Sequence, residues 1–62
     1  MKRPDLVSLL ERAEYREVRN NRHAVYKKEG CRSVQVPNHR EIAEYLAKQI
    51  LKDAGIQQGE WA

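Results

Sequence analysis

The sequence has one cysteine, no long apolar run and no spacing of histidine and cysteine suited to a metal. Each absence removes a class of function. Cys31 cannot form an internal disulfide, which fits a reducing, cytoplasmic setting. No stretch approaches the roughly 18 apolar residues of a membrane span. "MKRPDLVSLLERA" carries charge through its apolar part, so it does not read as a secretory signal. His23, Cys31 and His39 stand too far apart for a ligand spacing, and neither a metal nor another cofactor is expected. Repeats, linkers and low-complexity segments are also missing. With 62 residues the chain is expected to form one domain, residues 1–62. A domain of that size buries only about 60% of its unfolded surface. It is too small to sequester a ligand deeply, so function is expected on a surface or in a shallow groove.

Charge is present and unevenly distributed. In residues 1–14, Lys2, Arg3 and Arg12 are matched by Asp5, Glu11 and Glu14. In residues 15–40, Arg16, Arg19, Arg22, Lys27, Lys28, Arg32 and Arg40 stand against Glu17 and Glu29 alone. Residues 41–62 are acidic on balance. The net charge of +3 therefore comes from the middle of the chain. A polyanion such as nucleic acid suits a basic segment of this kind. The plain alternative is a solvated sheet face.

Periodicity orders the elements. Residues 4–13 are predicted helical: Pro4 suits the first turn, Asp5 favours the positive helix start, and Leu6, Leu9, Leu10 and Ala13 form one stripe that Val7 widens. A strand is predicted over 15–19, with Tyr15 and Val18 as its apolar members although they do not alternate. "NNR" (20–22) reads as a turn. Strands follow at 23–28 and 32–36, and Pro37 ends the latter. The second helix is predicted over 39–54, with Asn38 as N-cap, Glu41 completing a capping box, and Gly55 as the stop. Its apolar face would be Ala43, Leu46, Ala47, Ile50, Leu51 and Ala54. Ile56 and Trp61 are expected to fold back on the core. The class is α+β, in the order α-β-β-β-α: a three-stranded antiparallel sheet with both helices on one face.

The direction in which His23 points depends on hairpin register. A two-residue turn at Glu29-Gly30 would pair His23 with Val36 and bury it. A three-residue loop, 29–31, would pair Ala24 with Val36 and Tyr26 with Val34. His23, Val25, Lys27, Ser33 and Gln35 would then share the open face. Turn chemistry does not favour this loop, because its third position holds Cys31 where glycine is preferred. Patterning does favour it, since it separates apolar from polar residues more cleanly. His23 is then expected to be exposed beside the Arg19–Arg22 loop, with His39 near the same end of the sheet.

With those residues in place, the chain resembles the HicA family of small toxins. The matches are "DLVSLLERA" (5–13), "HAVY" (23–26), "VQVPNH" (34–39) and "ILKDAGI" (50–56), in order along nearly the whole chain. Asn21-Arg22 stands where the family usually has Gly-Ser, and Tyr45-Leu46-Ala47 where it has Gly-Thr-Leu. The resemblance implies a double-stranded-RNA-binding-domain-like fold and a ribosome-independent, metal-independent endoribonuclease that cleaves mRNA. It implies His23 as the catalytic residue and a HicB-type antitoxin covering the His23 face. An imidazole suits this chemistry because it can take the proton of a ribose 2′-OH or protonate the leaving 5′-oxygen near neutral pH. Arg19, Arg22, Lys27, Arg32 and His39 are the candidates for holding single-stranded RNA. Each has a plainer role available: His39 as a helix-start residue, and the cations as solvated charges. Tyr26 belongs to the core in the favoured register, and Cys31 is an incidental thiol at a hairpin tip. The competing function is a non-catalytic RNA-binding module of the same fold. Such modules place lysines at the start of the second helix, where this chain reads "NHREIAEY". A pure protein-interaction domain is the third possibility.

Overall fold

A computed structural model describes residues 1–56. Its elements are α1 (Arg3–Arg12), β1 (Arg16–Asn20), β2 (His23–Lys27), β3 (Val34–Pro37) and α2 (Glu44–Asp53). The strands form one antiparallel sheet in the order β1-β2-β3, so the strand bearing His23 is central. The expected α+β order and sheet are found. Trp61, expected to fold back, lies outside the described residues; Ile56 is buried in the core.

The core forms between the helices and one sheet face. Leu6 and Leu10 from α1, Ala24 and Tyr26 from β2, Val34 and Val36 from β3, and Ala47, Ile50 and Leu51 from α2 are all buried. Leu9, Val7 and Ala13 pack partly against them, as the α1 stripe requires. Ala24 pairs with Val36 and Tyr26 with Val34, so the register that separates apolar from polar residues is the one adopted. Its connection differs from the expected three-residue loop. Residues 28–33 all lie outside the strands, and β3 begins at Val34. The turn is Lys28–Cys31, closed by the Cys31 N–H on the Lys28 carbonyl at 3.0 Å. Gly30 takes the positive φ (77°), as the third residue of a type II turn must. Arg32 stays out of the ladder, and its carbonyl accepts a hydrogen bond from the Tyr15 hydroxyl at 3.1 Å.

In β1 the register shifts between Glu17 and Arg19, leaving Val18 as the extra residue of a bulge. This explains the missing alternation and corrects the expectation that Val18 is an apolar anchor: it is 59% exposed. Glu17 is opposite Tyr26, on the helix side, while Arg19 is opposite Val25, on the open side. Unbroken alternation would put Glu17 and Arg19 on one face. The extra residue separates them, as bulges commonly re-aim a side chain.

The start of α2 departs most from expectation. The helix begins at Glu44, and its N-cap is Ala43 with no side-chain cap. Asn38 does not cap it, and Glu41 completes no capping box. Residues 40–42 run beside the N-terminal segment instead. Arg3 N–H donates to the Arg40 carbonyl (2.9 Å), Ile42 N–H donates to the Met1 carbonyl (2.7 Å), and Lys2 and Glu41 form a β-bridge. Ile42, not expected in the core, is buried there, while Ala43 is exposed.

Both helices end in the same way. After α1, Tyr15 N–H reaches the Leu10 carbonyl and Glu14 N–H the Glu11 carbonyl, each at 2.9 Å. After α2, Ile56 N–H reaches the Leu51 carbonyl (2.9 Å) and Gly55 N–H the Lys52 carbonyl (3.0 Å). This is the Schellman pattern, with one residue in left-handed backbone. At α2 that residue is Gly55 (φ 77°); at α1 it is Glu14 (φ 72°), which has a Cβ to accommodate.

Candidate functional site

The open face of the sheet carries the sites that the sequence suggested. His23 is the first residue of β2, exposed, with Pro37 as its register partner on β3. It borders two shallow hollows. One, of about 300 Å³, is lined by Arg19, Asn21, Arg22, His23, Val25 and Gln35. The other, of about 410 Å³, lies toward α2 and includes His23, Pro37, Leu46, Gln49 and Asp53. His23 and Gln35 are common to both.

The first hollow is a cationic one. Arg19 reaches it through the β1 bulge, and Arg22 comes from the turn before β2. No carboxylate lines it, and none among the described residues forms an ion pair with either guanidinium. An anion placed there would meet two fixed positive charges beside an imidazole. No cluster of three potential metal ligands occurs among the described residues.

The other basic candidates line neither of these hollows. Lys27 is on the same face, opposite Arg16, but four residues along β2 from His23, or about 13 Å. With Arg16 and Lys28 it lines a larger hollow of about 1110 Å³, which also holds Glu11, Glu14, Glu17 and Glu29. Arg32 sits in the 28–33 connection, beyond the far end of β2 from His23. His39 is exposed two residues past β3, and it borders neither hollow that His23 borders. Of the five candidates for RNA contact, Arg19 and Arg22 line a hollow with His23, Lys27 and Arg32 lie toward the other end of β2, and His39 stands two residues beyond Pro37, the register partner of His23.

The sequence reading put Gln35 on the open face without giving it a role there, and it read Asn38 as a helix cap. Gln35 places an amide opposite Val25, between the two hollows. Asn38, read as a helix cap, bonds across the molecule instead. Its Oδ1 accepts from Arg3 Nη2 (3.0 Å), and its Nδ2 faces Asn20 Oδ1 (2.9 Å) and the carbonyls of Arg22 (3.2 Å) and Asn21 (3.4 Å). Arg3 Nε also donates to the Pro37 carbonyl (3.1 Å). The only available signal was the position of Asn38 directly after the proline that ends β3.

The two tyrosines of the core are not part of the open face. The Tyr26 hydroxyl is pushed above its ordinary pKa first by burial and then by the nearby Glu17 carboxylate, to which it donates at 3.5 Å. Burial, followed by proximity to Cys31, raises Tyr15 in the same direction.

An α-β-β-β-α chain with two helices on one sheet face, and an imidazole with two guanidinium groups on the other, defines a small α+β protein with a cationic open face. Residues 3–56 match the family described as HicA toxin of bacterial toxin-antitoxin, and the chain belongs to that family. It is thus a toxin of a toxin–antitoxin system, and a cognate antitoxin is its implied partner. No curated protein and no solved structure gives a match. Among the described residues, no helix is long and apolar enough to cross a membrane.

Proposed function

We propose that this toxin is a metal-independent endoribonuclease acting on single-stranded mRNA, with His23 as its general acid/base. The observation that carries the reading is the hollow in which His23 stands exposed beside Arg19 and Arg22 with no carboxylate. The ribose 2′-OH attacks the adjacent phosphorus, and the bond to the 5′-oxygen of the next nucleotide breaks. His23 takes the 2′-OH proton or donates one to the departing oxygen. The products are a 2′,3′-cyclic phosphate and a 5′-hydroxyl. Arg19 and Arg22 offset the negative charge that grows on the phosphoryl oxygens. Proton transfer by one positioned group contributes about 10²–10⁴-fold, enough for a toxin that cuts slowly.

The antitoxin, of HicB type, would cover the His23 face. An acidic surface on it would satisfy the same two arginines that hold RNA. The cytoplasm, where mRNA is found, is the proposed location.

Cleavage of end-labelled single-stranded RNA in EDTA, wild type beside His23→Ala, tests the reading. Cutting by the wild type alone supports it. Equal cutting by both removes His23 as catalyst. Salt-dependent binding with no cutting by either would return the chain to the non-catalytic binding module. That outcome is disfavoured by Glu44 in the first turn of α2, where such modules carry lysines.

A further inference from the structure

The network around Asn38 extends this reading of the site and rests on it. The sheet ladder weakens where His23 needs support. Its register partner is Pro37, the last residue of β3, so no residue of β3 pairs with β2 beyond that point. The turn before His23, Asn21 and Arg22, follows β1 and has no register partner in β3.

Asn38 follows Pro37 directly and supplies side-chain donors there. Its amide has two N–H groups, shared among three oxygens at the turn: Asn20 Oδ1 at 2.9 Å, the Arg22 carbonyl at 3.2 Å and the Asn21 carbonyl at 3.4 Å. The orientation of the amide follows from its surroundings. Its oxygen faces Arg3 Nη2 at 3.0 Å, and flipping it would set oxygen against three oxygens and nitrogen against a guanidinium. Arg3 in turn holds the Pro37 carbonyl from the first turn of α1. One side chain therefore joins the helix layer, the end of β3 and the turn that carries Arg22 and leads into His23.

We infer that Asn38 is a positioning residue for His23 and Arg22. It fixes the backbone from which both side chains project into the hollow. It does not line the hollow, so its effect falls on the geometry of reaction more than on RNA affinity.

The test separates donation to the turn from tethering to Arg3. Asn38→Asp keeps an oxygen for Arg3 but loses both N–H donors, while Asn38→Ala loses both connections. Initial rates on single-stranded RNA in EDTA would be measured with melting temperature and with amide exchange of residues 21–23. Both variants are expected to lower kcat about tenfold, a modest misplacement of reacting groups. KM should hold within about twofold, and amide exchange at 21–23 should rise. Asn20→Ala, which removes the shortest turn acceptor from an exposed position, should give about a threefold loss and guards against an Asn38 variant that does not fold. Wild-type kcat in Asn38→Asp, or losses that only follow the folded fraction, would overturn the inference. His23→Ala run alongside separates the two levels. If it cuts as well as the wild type, the proposed function fails and the positioning role falls with it. If it is inactive while the Asn38 variants cut normally, only the positioning role falls.

Discussion

The two ends of the β1–β2 ribbon are both rich in cations but present different fields. At the turn end, Arg19 and Arg22 stand beside His23 with no carboxylate in the hollow. At the other end, Arg16, Lys27 and Lys28 share their hollow with Glu11, Glu14, Glu17 and Glu29. The ends are about 13 Å apart along β2, beyond the roughly 8–10 Å over which exposed charges act in physiological salt. Each end therefore acts separately. A basic segment becomes a basic surface only where the fold brings no acid to it, and here the hollow of Arg19 and Arg22 meets that condition, while Asp53 lines the neighbouring hollow on the α2 side of His23.

The comparison can be broken by reversing charge at each end. Arg19→Glu with Arg22→Glu should lower RNA cleavage by about 10²-fold or more, since two stabilising charges become opposing ones. RNA binding, measured by anisotropy in a His23→Ala background, should lose about two phosphate contacts. Its log K against log salt slope should flatten by roughly 1.4. Lys27→Glu with Lys28→Glu should change either readout by less than about threefold. Equal losses from the two pairs would mean that the ends do not differ in function.

Removing acid should sharpen the same comparison. Glu11→Gln with Glu29→Gln would leave the far hollow cationic. RNA binding should strengthen about two- to fivefold and become more salt-sensitive, without a gain in kcat, because the imidazole lies at the other end.

Glu14→Gly takes a carboxylate from that hollow and a side chain from left-handed backbone. A non-glycine residue there costs roughly 1–2 kcal/mol, and glycine returns part of this through its freer unfolded chain. A net gain of about 0.5–1 kcal/mol is expected, or a rise of several degrees in thermal midpoint for a domain of this size. Gly55→Glu supplies the converse. A Cβ at Gly55 would meet nothing within 4 Å, so its backbone angle alone sets the penalty and the midpoint should fall.

The smallest effect is at alkaline pH. Tyr15 and Tyr26 are both raised above the ordinary value of 10.0, so the folded chain keeps protons that the unfolded chain has lost. Their contribution to stability is complete below pH 10 and declines as pH rises toward the folded values. Urea titrations from pH 9 to 11 should show this loss, with a shallower fall in Tyr26→Phe.

What the sequence revealed depended on how local each cause was. The hairpin register was legible because Ala24, Tyr26, Val34 and Val36 can be buried together in only one pairing, although the turn residues pointed elsewhere. The exposure of His23 followed from that register, and the nearness of Arg19 and Arg22 from chain proximity. The capping box at Asn38 and Glu41 failed because a partner 35 residues away claims the Asn38 side chain, while the N-terminal segment pairs with residues 40–42. Lys27 looked equivalent to Arg22 because the acids that surround it include Glu11 of α1 and Glu14 just beyond that helix, both distant in sequence. Glu14 carried no sign of its left-handed backbone, since glycine is the usual marker.

The matching helix ends point to a more general marker. Leu10 with Tyr15, and Leu51 with Ile56, are pairs five residues apart whose members are all buried. In each pair the last turn closes because a residue beyond the helix is anchored in the core. A search for glycine finds one of these boundaries, and a search for the apolar pair finds both. The same pairs act as a length gauge. Neither helix can gain or lose a residue near its end without pulling Tyr15 or Ile56 out of the core, so insertions there should be tolerated far less well than in the exposed 28–33 connection.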